Sequence, residues 1–136
     1  MKTLLVLVAV LMASPAWAQE RVGPNDTPKW TAPTTNVDSS PLTDLAGYRI
    51  YVNGVACPGP GFRFIPSGTS SPAPGTVFVG PKYGDMAITP GPGLYRLSAV
   101  DTSSNESGCA VSPPFVFDPS LLDRIAPATP TGLVVR

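Results

Sequence analysis

Tyr48, Ile50 and Val52 alternate with Arg49 and Tyr51, and further along Tyr95, Leu97 and Ala99 alternate with Arg96 and Ser98. A period of two places each apolar set on one face of an extended chain, so residues 47–52 and 94–101 are predicted as strands lying against a core. Shorter apolar runs at 76–79, 85–89, 115–117 and 132–135 read as further short strands. Trp30 carries the largest apolar surface ahead of the first clear strand and is expected beneath a sheet. The expected core is Trp30, Tyr48, Ile50, Val79, Ile88, Leu97 and Ala99.

Turn-forming residues divide these runs. Pro33, Asn36, Asp38, Ser39, Ser40, Pro41 and Asp44 mark a loop before the first strand. Asn53-Gly54 is a hairpin signal, because both residues tolerate the positive φ of a type I′ turn, and it predicts that 55–57 folds back on the preceding strand. Residues 58–75 are rich in Pro, Gly and Ser, but Phe62, Phe64 and Ile65 are expected to hold that loop against the fold. Gly80-Pro81 and the run Pro90-Gly91-Pro92-Gly93 end strands, 102–108 is a polar loop, and Pro113-Pro114 disturbs the last strand. Residues 19–28 read as an irregular lead-in. With 18 prolines and 13 glycines in 136 residues, long helices are disfavoured. Some seven short strands in about a hundred residues is the pattern of an all-β Greek-key sandwich.

The beginning of the chain changes the setting. Lys2, an apolar run from Leu4 to Met12 and Ala16-Trp17-Ala18 have the order of a secretory signal, cleaved after Ala18. The expected destination is secreted or periplasmic. The apolar run is too short to span a membrane, and no later run approaches the ~20 residues needed. Residues 19–136 suffice for one domain with a modest core. The chain has 9 basic and 9 acidic side chains, and loss of Lys2 leaves a net charge of −1. Charge of either sign is scattered, so no footprint for nucleic acid or anionic membrane is expected.

The stretch KWTAPTTNVDSSPLTDLAGYRIYVNG, beginning at Lys29, resembles the second and third strands of bacterial and phage-type fibronectin type III domains. Ile88-Thr89-Pro90-Gly91, Leu97-Ser98-Ala99-Val100-Asp101 and Ser104-Asn105-Glu106-Ser107 resemble later segments of that family. The resemblance covers roughly 29–117 and implies a seven-stranded antiparallel Greek-key sandwich of immunoglobulin-like type over 29–118. Residues 55–85 do not share it. Ser39 stands where the family commonly has Gly, and Gly93 falls where its corner tyrosine sits, with Tyr95 two residues on. Residues 119–136 read as a linker and a strand-like tail. The tail, APATPTGLVVR at 126–136, resembles the opening strand of such a domain but stands at the wrong end. It is expected to dock, on its own sandwich ahead of a head-to-tail neighbour, with an undocked stub as the remaining reading.

Catalytic chemistry is thin. The chain contains no His, no G-x-S-x-G elbow and no phosphate-cradling G-x-x-x-x-G-K motif. No enzymatic activity, cofactor or metal is expected. Asp38 and Asp44 share a loop but are too few for a calcium site; Asp101 is expected to cap a turn through its backbone, and Glu106 flanks the same loop. Recognition is expected on the loops, with Asp38, Ser39, Asp44, Asn105 and Glu106 as candidate binding residues. The family resemblance places loops 34–44 and 102–108 at one pole. Cys57 and Cys109 are an even pair in an exported chain, which favours a disulfide. Asn25-Asp26-Thr27 and Asn105-Glu106-Ser107 match the glycosylation sequon, and the bacterial resemblance makes both incidental. The leading expectation is a non-catalytic exported module for adhesion, spacing or assembly. The alternative is a carbohydrate-binding accessory module, for which a flat row of Phe62, Phe64 and Tyr83 would be the platform; the ligand is then a protein or a glycan.

Overall fold

A computed structural model describes residues 19–121, 129–132, 134 and 135. The signal reading of residues 1–18 lies outside them. The described residues form an all-β structure, an open sandwich of nine short strands with one 3-10 turn at Tyr83–Asp85 and no α-helix. The strands are β1 (Glu20–Val22), β2 (Lys29–Thr31), β3 (Leu45–Tyr51), β4 (Arg63–Pro66), β5 (Val77–Val79), β6 (Gly91–Gly93), β7 (Arg96–Asp101), β8 (Ala110–Val111) and β9 (Phe115–Phe117). They make a four-stranded sheet in the order β4-β3-β7-β8, a two-stranded sheet β2-β5 and a three-stranded sheet β1-β9-β6.

The two long alternating segments form the centre of the larger sheet. Antiparallel pairing sets Tyr48 opposite Ala99 and Ile50 opposite Leu97, so the apolar faces of β3 and β7 coincide. Between Leu45 and Gly47 the register slips by one residue. That bulge lets Leu45 and Tyr48, three apart in sequence, enter the same cluster. Tyr48 and Ile50 are buried, whereas Trp30, Leu97 and Ala99 are half-buried against them. Trp30 and Phe78, from the facing sheet, pack against both clusters of the core. The opposite face of β3 is also covered: Tyr51 is 1 % exposed.

Several sequence expectations are corrected. The 19–28 lead-in contains β1, which pairs in parallel with β9 and buries Val22. Three residues are too few for an alternation to show. Asn53 and Gly54 do form the expected turn, with φ of 57° and 73°. However, 55–57 makes no strand, and β3 pairs instead with β4, inside the region read as a loop. Pro58 and Pro60 have no amide to donate to a continuing ladder, and Cys57 is drawn to Cys109 in a disulfide with Cα atoms 6.2 Å apart. The strand expected at 85–89 is absent: the 3-10 turn and irregular chain bury Met86 and Ile88 there. Gly91–Gly93, expected only to end a strand, pairs antiparallel with β9. Val79 is not core but 52 % exposed, because β5 is an edge strand. Of the tail at 126–136, residues 126–128, 133 and 136 lie outside the described residues. Its described residues are exposed and in no strand, with Val134 85 % and Val135 95 % exposed.

Candidate functional site

β2 ends at Thr31 and β3 begins at Leu45, so residues 32–44 form the connection at one pole; residues 102–109 connect β7 to β8. A cleft of about 310 Å³ is lined by both connections. Its apolar lining includes Trp30, Leu42, Leu45, Tyr48, Leu97 and Ala99, and Asn105 and Glu106 belong to its polar rim. Trp30 is held in place by rings: its centroid lies 5.1 Å from Tyr48, edge-on, and 5.0 Å from Phe78, stacked. Such offset and edge contacts are the favoured aromatic geometries, so this wall is stiff.

Each loop is braced by its own hydrogen bonds. The Asp38 carboxylate accepts the Ser40 amide at 2.9 Å and the Ser40 hydroxyl at 2.5 Å. Those bonds, the hydroxyl's first, hold the Asp38 carboxyl below the usual carboxylate range. Asn36 donates from its side chain to the Ser40 hydroxyl at 3.0 Å, and its amide donates to the Ser40 carbonyl at 2.8 Å. Ser39 adopts φ of 69°, the left-handed conformation that glycine takes freely and a serine must be held in. In the second loop the Asp101 carboxylate accepts the amides of Ser103 (2.9 Å) and Asn105 (2.8 Å) and the Asn105 side-chain amide (2.8 Å). Asp101 thus caps the turn through its backbone, its carbonyl accepting the Ser104 amide at 3.0 Å and its amide donating to the Asn105 carbonyl at 3.0 Å, and through its side chain as well, where the Asn105 bonds hold its pKa down.

Glu106 does something different. It turns inward over the outer face of the larger sheet and accepts three side-chain donors: Arg49 Nη1 at 2.7 Å, Tyr51 Oη at 2.6 Å and Ser98 Oγ at 2.5 Å. Burial alone would raise its pKa, but the bonds from Ser98, Tyr51 and Arg49 outweigh that and keep it ionised, below its ordinary value. Burial, followed by the bond to Glu106, pushes the Tyr51 phenol up. The Arg49 guanidinium also lies 4.4 Å from the centre of the Phe62 ring, a cation–π contact. A Glu106 carboxylate oxygen and the sulphurs of Cys57 and Cys109 lie within 4.8 Å of one another. The two sulphurs are joined in a disulfide, so no thiolate is present to bind a metal. The loop carrying Glu106 is therefore tied down twice, to the sheet by a charged network and to the β3–β4 connection by a covalent bond.

Of the candidate binding residues, Asn105 and Glu106 line the cleft, while Asp38, Ser39 and Asp44 do not. Asp44 contributes its backbone instead, its carbonyl accepting the Thr102 amide at 2.9 Å and so joining the two loops. The residues the sequence reading missed as site residues are Trp30, Leu42, Tyr48 and Leu97, which it assigned wholly to the core or left unassigned. Their pattern says only that one face is apolar; it does not say that a cleft opens there, with Trp30 and Leu97 half-buried and Leu42 and Tyr48 buried at its wall. The three aromatics considered as a glycan platform do not form a row. Tyr83 is buried against Phe115, and Phe62 lies edge-on to Tyr51 beneath Arg49.

No family model matches the chain, and no curated protein or solved structure matches it significantly.

Proposed function

We propose that this chain is an exported, non-catalytic β-sandwich module of the fibronectin type III kind, serving adhesion, spacing or assembly at the cell envelope or outside it. On this reading, the cleft between the two loops receives its ligand. The observation that carries the reading is that cleft: apolar within, polar at the rim, and flanked by two loops each braced by its own hydrogen bonds. Preformed apolar concavities with few polar groups are where proteins bind, and rigid loops avoid the ordering cost of binding.

The strand order supports the family resemblance. β3 and β4 are hairpin neighbours, the chain then crosses to β5 beside β2, and it returns as β7 to the other side of β3. That order within the four- and two-stranded sheets is in keeping with a Greek-key winding, beside which β1, β9 and β6 form a further sheet. The disulfide is in keeping with an oxidising compartment. The titratable groups at the cleft, Asp101 and Glu106, are committed to capping and bridging bonds, which suits binding rather than proton transfer. The carbohydrate alternative loses its platform with Tyr83 in the core.

The test is capture from envelope extract by residues 19–136, with proteins and glycans both scored, against the same chain carrying Gly108→Trp. Gly108 lines the cleft and a Cβ there meets nothing within 4 Å, so the indole obstructs the cleft without straining the core. A partner held by the parent and lost at least tenfold by the variant supports the reading; equal capture by both overturns it.

A further inference from the structure

One edge of the smaller sheet is open beside the cleft. β2 pairs with β5 alone, Lys29 opposite Val79, Trp30 opposite Phe78 and Thr31 opposite Val77. The Ala32 amide donates to Thr76 and the Gly80 amide to the Pro28 carbonyl. In an antiparallel pair, alternate residues turn their backbone groups toward the partner, so positions 28, 30 and 32 face β5. The amides and carbonyls of Lys29 and Thr31 face away from it, along an edge that no described strand covers. Trp30 and Thr31 form one lip of the cleft, and Ala110 of β8 belongs to its lining. β8 is likewise paired on one side only, with β7.

The same chain carries a segment whose composition suits that edge. Residues 129–135 read Thr-Pro-Thr-Gly-Leu-Val-Val, uncharged and ending in three apolar residues, two of them β-branched. Valine pairs of this kind favour strands, yet in the single chain Val134 and Val135 are almost wholly exposed and in no strand. Before the tail, the chain is fixed elsewhere: the Asp118 amide donates to Val22 and the Leu121 amide to Asp118, next to β1 of the three-stranded sheet.

We propose that residues 129–135 of one copy add as a strand to the β2 edge of a second copy, with Leu133 and Val135 entering its cleft. In a strand these two side chains share a face, while the backbone answers the outward groups of Lys29 and Thr31, the mode of β-strand addition. Donor tail and acceptor cleft are different surfaces, so the contact is heterologous and repeats head to tail into open chains. The proposal rests on reading the cleft as a binding site and names its occupant.

The experiment uses residues 19–136 in sedimentation velocity over a hundredfold concentration range, with two variants. One replaces Leu133 and Val135 by Asp, Val135 being almost wholly exposed; the other is Gly108→Trp. The parent is expected to associate with concentration, and each variant alone to remain monomeric. Mixed, the Gly108→Trp chain still offers a tail and the Asp variant still offers a cleft, so together they should form a one-to-one dimer that stops there. A monomeric parent at every concentration overturns the proposal, as does undiminished association of the Asp variant. If the parent is monomeric and the Asp variant melts at lower temperature, the tail docks on its own chain and the second copy is refuted. If association is refuted while Gly108→Trp still loses its envelope partner, the binding cleft stands and only its assigned occupant falls.

Discussion

Replacing Glu106 tests how the second loop is held. Its carboxylate receives Arg49, Tyr51 and Ser98, and the side chains of the Arg49–Glu106 pair are 22 % and 14 % exposed. Hydrogen bonds to a charged group contribute about 1.5–3 kcal/mol each, and removing one partner of a fully buried pair costs about 3–5 kcal/mol. Here the pair is partly solvated and glutamine can still accept from Ser98 and Tyr51. Glu106→Gln should therefore destabilise by about 2 kcal/mol, and Glu106→Ala by about 2–4 kcal/mol, with Arg49 left beside Phe62 without its carboxylate. Urea denaturation at pH 7, followed by Trp30 fluorescence, measures both. A cycle with Arg49→Met should give a coupling of about 1–2 kcal/mol. The sign with pH follows from the depressed pKa. Stabilisation by ionised Glu106 is complete above its unfolded pKa and is lost as pH falls through the lower folded value. The gap between parent and Glu106→Gln should thus shrink in strong acid. A cost below about 0.5 kcal/mol at pH 7, the scatter of an ordinary surface substitution, would refute the reasoning, as would a zero coupling.

Three further outcomes are expected. Replacing Cys57 and Cys109 by Ser opens a link spanning 52 residues and should cost ~4 kcal/mol on the chain-entropy account; a loss under 1 kcal/mol in urea would show that the loop is held without it. Gly47→Ala puts a Cβ 2.3 Å from the Ile65 carbonyl oxygen and 2.7 Å from the Phe64 ring, and should cost about 1–3 kcal/mol as overpacking, seen as a lower melting temperature with β4 protons exchanging faster. Trp30→Ala, at a half-buried ring touching both core clusters, should cost about 2–4 kcal/mol by circular dichroism, somewhat below a fully buried indole; a neutral result would detach β2 from the core.

The segments with strong local patterns were legible. Alternation over Tyr48–Ile50 and Leu97–Ala99 identified β3 and β7, because a period of two dictates which side chains share a face whatever the strand pairs with. Asn53-Gly54 marked a turn for the same local reason, since few other residues accept positive φ there. The cysteine count and the signal-like start pointed to the Cys57–Cys109 pair without any geometry. Pairing partners were not legible. β1, β6 and β8 are two or three residues long, and the β6 sequence is Gly-Pro-Gly; they are strands only because β9 and β7 lie alongside, which no local preference encodes. β4 was hidden because Pro and Gly on either side outweighed Phe64 and Ile65 in a local reading.

The candidate site divides in the same way. Sequence by itself determined that loops 34–44 and 102–108 are polar and non-repetitive, and that Asp101 sits at a turn; that Asp38 and Asp101 brace their loops through their carboxylates came from the structure. Only the tertiary structure decided that Asp38 faces away from the cleft while Glu106 folds inward to Arg49, Tyr51 and Ser98. It alone left Trp30 and Leu97 half-buried at the wall of a cleft, beside the fully buried Tyr48. Local sequence sets which residues avoid water, but a cleft is a failure of two sheets to close over their own apolar faces. That depends on how many residues each edge contributes, and hence on pairings between segments far apart in the chain.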